Sequence, residues 1–171
     1  MIKLIGAVLI IAASTFTGFE FARRFSDRTK LLRQLKSALQ SLEAEIMFSH
    51  KPLAAAAYDI GKQIPKPLSL FFEKFSERLS KGHTSVKAAW DSSLDDLASF
   101  SSIKKGELQV LKQFGETLGK HDLISQQKHI RLALTHLERE ESDAEDRQAR
   151  YEKMIKSLGF LSGLLIVILL M

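Results

Sequence analysis

The chain has 171 residues, 25 Lys plus Arg against 20 Asp plus Glu, a net charge of +5, three Pro and no Cys. Residues 4–19 and 157–171 carry no charge, so every charged side chain except Lys3 falls between Glu20 and Lys156. That segregation argues against an ordinary soluble globule, two apolar runs are too few for a polytopic transporter, and the lack of Cys removes disulfide scaffolds, thiolate metal sites and cysteine nucleophiles together.

The first apolar run, LIGAVLIIAASTFTGF, is sixteen residues long. With Glu20, Phe21 and Ala22 it approaches the ~20 residues that a bilayer core requires, which predicts a transmembrane helix over 1–22. A cleaved signal peptide is the alternative. Only the loose Ala12-Ala13-Ser14 region offers a cleavage site, and Phe16, Phe19 and Phe21 carry the apolar character past it. Arg23 and Arg24 then stand at the membrane surface, in reach of Glu20.

Residues 23–152 read as an all-α cytoplasmic domain of six helices. Val occurs there only at 86 and 110, and no stretch alternates apolar and polar residues for the length of a strand. Leu31, Leu35, Ala38, Leu39, Leu42 and Ile46 recur at threes and fours and predict a helix over about 27–48. Pro52 opens a second helix, Leu53 to about Ile60, and Pro65 and Pro67 mark the next break. Leu68, Phe71, Phe72, Phe75 and Leu79 form the stripe of a third, stopped by Gly82.

Thr84 is placed to cap a fourth helix carrying Val86, Ala89, Trp90 and Leu94. After the Ser99, Ser101, Ser102 connector, a fifth runs from about Lys104 to Leu118 with Leu108, Leu111, Phe114 and Leu118 inward, ended by Gly119. Asp122 caps the sixth, which shows Leu123, Ile130, Leu134 and Leu137 at helical spacing. It meets no Gly or Pro until Gly159, which predicts a helix continuous with a second membrane span over 153–171. That last stretch has no polar face to show to water.

Arg150, Lys153 and Lys156 precede the second span as Arg23 and Arg24 follow the first, so the positive flanks place the middle in the cytoplasm and both termini across the membrane. Gly159 with Gly163, and Ser14 with Gly18, are small-residue pairs one turn apart through which the two spans can pack closely. The alternative is that Gly159 and Gly163 pair with another membrane subunit or with a second copy, making a homo-oligomer.

Chemistry is sparse. His129 and His136 are seven residues apart, ~10 Å along a helix, too far to share a metal ion, and no His-Glu-x-x-His spacing exists. Neither a Gly-rich phosphate loop nor a serine nucleophile motif is present, which points to a binding or scaffolding protein without cofactor or metal rather than an enzyme. The mild, mixed charge of the middle does not fit a nucleic-acid partner. Glu138, Glu140, Glu141, Asp143, Glu145 and Asp146 crowd one segment of the sixth helix, a candidate face for a cationic partner. The plainer alternative is a solvated helix braced by Asp143 with Arg147 and Asp146 with Arg150.

The runs Gln34-Leu35-x-x-Ala38-Leu39-Gln40-Ser41-Leu42-Glu43-Ala44-Glu45-Ile46-Met47, Phe114-Gly115-Glu116-Thr117-Leu118-Gly119-Lys120-His121-Asp122 and Gln126-Gln127-Lys128-His129-Ile130-Arg131-Leu132-Ala133-Leu134 resemble the stage III sporulation protein AB family. So do Leu4-Ile5-Gly6-Ala7-Val8 and Lys156-Ser157-Leu158-Gly159-Phe160-Leu161, so the resemblance covers essentially the whole chain. It implies a cytoplasmic six-helix bundle like that of type II secretion and type IV pilus platform proteins. It further implies a membrane component of the channel complex between mother cell and forespore, coupling a cytoplasmic secretion-type ATPase to other membrane subunits. The secretion relatives usually carry two such domains and three spans, whereas this chain carries one domain and two spans. A membrane-anchored regulator or small-ligand sensor is the alternative from another class.

Overall fold

The computed structural model describes residues 26–49, 51–82, 84–119 and 123–170. They are all-helical, with no strand among them. Helix α1 covers 26–44 and closes in a π-helical turn, Glu45–Ser49. It is followed by α2 (Leu53–Gln63), α3 (Leu68–Ser80), α4 (Val86–Phe100), α5 (Lys105–Gly115) and α6 (Leu123–Leu170). Residues Lys30–Ser142 form one compact unit, and the described parts of Met1–Thr29 and Asp143–Met171 belong to a second.

The six helices are those expected from the apolar spacing, and their ends differ for local reasons. The last turn of α1 widens where the Ser49 hydroxyl donates to the Glu45 carbonyl at 2.6 Å, competing with the backbone ladder. Helix α2 runs three residues past Ile60 because Gly61 lets it lie against α3, where a Cβ would come 3.3 Å from Glu73 and from the Ser69 carbonyl. The cap of α4 is Ser85, not Thr84: the Ser85 hydroxyl accepts from the Ala88 amide at 3.2 Å, while Thr84 donates to the Arg78 carbonyl. Helix α5 ends three residues early in a turn that Gly119 closes at φ +79°.

The core of the Lys30–Ser142 unit is partly aromatic. Leu31, Leu32, Leu35, Leu39 and Leu42 of α1 are buried, as are Phe71, Phe72 and Phe75 of α3, Leu94 and Leu97 of α4, Leu111 and Phe114 of α5, and Ile130, Ala133 and Leu137 of α6. Trp90 sits among the rings, edge-on to Phe71, Phe75 and Phe114 at centroid distances of 4.9, 5.0 and 5.3 Å. Its indole Nε1–H donates to the Leu111 carbonyl at 2.8 Å, so the polar handle that burial would otherwise leave orphaned is satisfied.

Among the described residues no helix is long and apolar enough to cross a membrane. The expected first span, with Ser14, Gly18, Arg23 and Arg24, lies outside them. Gly159, Gly163 and Lys156 fall within α6, but their side chains also lie outside the described set.

Candidate interaction surface

The acidic segment lies on α6, and the structure separates its members. Glu141 is buried, with its side chain only 9% exposed, and it turns toward α1. Arg33 Nε donates to its Oε1 at 2.9 Å and Lys36 Nζ lies 2.8 Å from its Oε2. Burial by itself would raise the Glu141 carboxyl, but the hydrogen bonds from Lys36 and Arg33 outweigh it and hold the group below its ordinary value. The same bond from Lys36 to Glu141 raises the ammonium against the opposing effect of burial. Glu141 is therefore a clasp between two helices as well as a member of the charge run.

Glu138 is exposed and reaches Lys36 only at 3.9 Å, and Glu140 is half-buried. Asp143, Glu145 and Asp146 are exposed, and all three belong to the second unit. Among the described residues neither Asp143 with Arg147 nor Asp146 with Arg150 forms an ion pair, although the spacing allows both. Asp143 and Asp146 thus keep their charge solvated. Arg150 and Lys153, the expected surface cations, are exposed on the same helix.

Other ion pairs lock the bundle. Arg78 on α3 donates to the Ser93 hydroxyl at 2.6 Å and to Asp96 at 2.8 Å, and Lys74 joins the same carboxylate at 3.0 Å. The Arg78 hydrogen bond first, and that of Lys74 second, hold Asp96 below the usual carboxylate range. Lys112 on α5 pairs with Asp95 at 2.7 Å, and Arg131 on α6 reaches Glu43 on α1 at 3.5 Å. Glu107 is buried and accepts from the Lys104 amide at 2.6 Å, closing the first turn of α5. Sequence spacing gives no sign of these contacts between helices, since each joins positions set by how helices pack.

His129 and His136 are both exposed and rim an open groove between α5 and α6, floored by Phe114 and Ala133 with Val110 and Leu132 at its sides. Among the described residues no group of three or more His, Asp or Glu side chains could hold a metal ion. His121 lies outside the described residues.

The profile of the stage III sporulation protein AB family matches residues 3–171. The chain belongs to this family. Stage III sporulation protein AB of Bacillus subtilis (strain 168) is 59% identical over 171 residues, covering the whole of both chains. A solved structure of a stage III sporulation protein AB is similar with a TM-score of 0.70 and 56% identity, covering 72% of this chain and 98% of its own. Membership of the stage III sporulation protein AB family makes this a sporulation protein, and the buried leucine stripes and aromatic cluster described above are the frame on which its surface is displayed.

Proposed function

We propose that this protein is a non-enzymatic platform subunit of a secretion-like channel complex between mother cell and forespore. It is anchored in the mother-cell membrane around the forespore by its two apolar ends and couples a cytoplasmic secretion-type ATPase to the other membrane subunits. One observation carries the reading more than any other: α1 and α6 run antiparallel, clasped by Arg33 and Lys36 on Glu141 and by Arg131 on Glu43. Both chain ends therefore leave the Lys30–Ser142 unit at the same end, as they must if each continues into a span of one bilayer.

The aromatic cluster around Trp90, its rings edge-on at the centre of the unit, suits a structural platform better than a small-ligand sensor, which needs an interior cavity lined by convergent polar groups. Asp143 and Asp146, exposed and solvated, suit contact with a cationic face of the ATPase. The test is co-purification of the detergent-solubilised full chain with its cognate secretion-type ATPase, with and without nucleotide. Retention of the ATPase supports the coupling role, and its absence under both conditions removes it.

A further inference from the structure

Helices α5 and α6 meet along the groove that His129 and His136 rim, and Leu132 stands between the two imidazoles with 49% of its surface in the open. The three recur at three and four residues, so they share the outward face of α6. On the α5 side of Leu132 the groove holds about 120 Å³, floored by Phe114 and Ala133 with Val110 and Gln113 opposite, which is small beside the ~300–1,000 Å³ of sites for small molecules. On its other flank Gln127, Lys128, Arg131 and Thr135 line a second, open hollow. A half-exposed leucine between two hollows fits the side chains of a partner helix better than a soluble ligand.

The charges along this groove are one-sided. From Leu123 to Leu137 α6 carries Lys128 and Arg131 and no carboxylate, and from Leu108 to Gly115 α5 carries Lys112 and again no carboxylate. The acids of the surrounding elements are occupied: Asp95 on α4 pairs with Lys112, Glu43 on α1 reaches Arg131, Glu116 reaches Lys87, and Glu138 faces Lys36. Glu107 is buried in the first turn of α5, and Glu140 is half-buried with an interaction of its own. Asp143 stands eleven residues past Leu132, about 16 Å of helix, and belongs with Glu145 and Asp146 to the other unit. Lys128 and Arg139, four before and seven after Leu132 on the same face, are exposed and make no ion pair among the described residues. His129 and His136 can each donate a hydrogen bond whether neutral or charged.

We propose that the α5–α6 groove docks an acidic amphipathic helix of another protein, whose apolar stripe covers Leu132 and whose carboxylates meet Lys128 and Arg139. These two cations are eleven residues apart, about 16 Å along α6, so the partner helix runs three turns or more and carries an acid at each end of that length. The imidazoles of His129 and His136 lie between the cations and suit the same acidic flank as hydrogen-bond donors. A second copy of this chain offers no such pattern on its exposed acid run. Asp143 to Asp146 advances only about 5 Å, and Arg147 and Arg150 follow at once.

The probe is a fluorescein-labelled synthetic helix of about 18 residues, with Leu at threes and fours and Glu on both flanks, titrated with the full chain in nonionic detergent and read by anisotropy. Partition into micelles is common to parent and variants, so the difference between them reads the groove. Leu132→Gln should weaken binding about tenfold or more at low and high salt alike, through the loss of one covered leucine. Lys128→Gln with Arg139→Gln should weaken it about tenfold at low salt and little at high salt. All three residues are exposed, so the variants should keep the parent's unfolding midpoint. Equal affinity of parent and Leu132→Gln, or equally tight binding of a peptide with every Glu replaced by Gln, overturns the proposal. So does self-association of the parent that Leu132→Gln abolishes in sedimentation, which would give the groove to a second copy.

Discussion

A Cβ built on Gly115 would overlap Cδ1 of Trp90 and stand 2.9 Å from its Nε1, so the end of α5 passes over the indole with no room for a methyl group. The same indole is fixed by its bond to the Leu111 carbonyl one turn earlier and by edge contacts to three phenylalanines, so it cannot swing aside. Gly115→Ala should therefore destabilise the protein by about 1–3 kcal/mol despite the better helix propensity of Ala. Thermal unfolding of the full chain followed by circular dichroism gives the answer. A midpoint equal to or above that of the parent would show that the indole yields.

Glu141 couples stability to pH. Its carboxyl is held below the ordinary value, so its contribution is fully present above the ordinary carboxylate range and is lost as the pH falls through the depressed value. Glu141→Gln removes the charge that Lys36 and Arg33 bind and should cost about 1–2 kcal/mol at neutral pH. Parent and variant should converge in acid, where the parent is itself protonated. Urea denaturation over a pH series from 7 down into acid checks both halves; a gap that keeps the same size throughout the series would mean that the charge is irrelevant.

Glycines at the surface separate backbone conformation from packing. Gly82 has φ +70° with nothing within 4 Å of a Cβ, whereas Gly106 lies in the first turn of α5 with the same open space and no such backbone demand. Gly82→Ala should cost about 1 kcal/mol from left-handed backbone strain. Gly106→Ala should add about 0.5–1 kcal/mol by restricting the unfolded chain. Opposite shifts in chemical denaturation midpoint are expected, and shifts of the same sign would contradict the assignment.

Much of the frame was legible because it rests on periodicity. The stripe through Leu31, Leu35, Ala38, Leu39 and Leu42, and that through Leu68, Phe71, Phe72 and Phe75, are the buried faces of α1 and α3. Leu32 and Ala133 are buried too, where spacing alone had favoured Leu134, because neighbours on both sides broaden a helix's buried face beyond one stripe. The acidic run was legible as composition. That Glu141 turns inward was not, since nothing in a charge run says which carboxylate meets Arg33 and Lys36 some 108 and 105 residues earlier in the chain. The trade of Thr84 for Ser85 as cap shows the same limit at one residue, because either hydroxyl fits the pattern and only the turn geometry selects.

The exposed acids give a test that spares the clasp. Asp143→Lys with Asp146→Lys leaves Glu141 in place and should weaken ATPase association at least about tenfold at low salt, by reversing two solvated charges, with a smaller effect at high salt. Thermal stability should stay within about 0.5 kcal/mol, as for other surface substitutions. Isothermal titration in two salt concentrations measures it; unchanged affinity at low salt returns the segment to a merely solvated face.

Thiol labelling tests most directly whether one cytoplasmic bundle hangs from two spans. Lys3→Cys, Ser102→Cys and Met171→Cys are made singly and expressed in vegetative cells, where the protein enters the membrane bounding the cell, and the intact cells are exposed to a membrane-impermeant maleimide. The thiols at positions 3 and 171 should react in intact cells, and the thiol at position 102 only after permeabilisation. Labelling at position 102 in intact cells while both termini stay protected would contradict the arrangement.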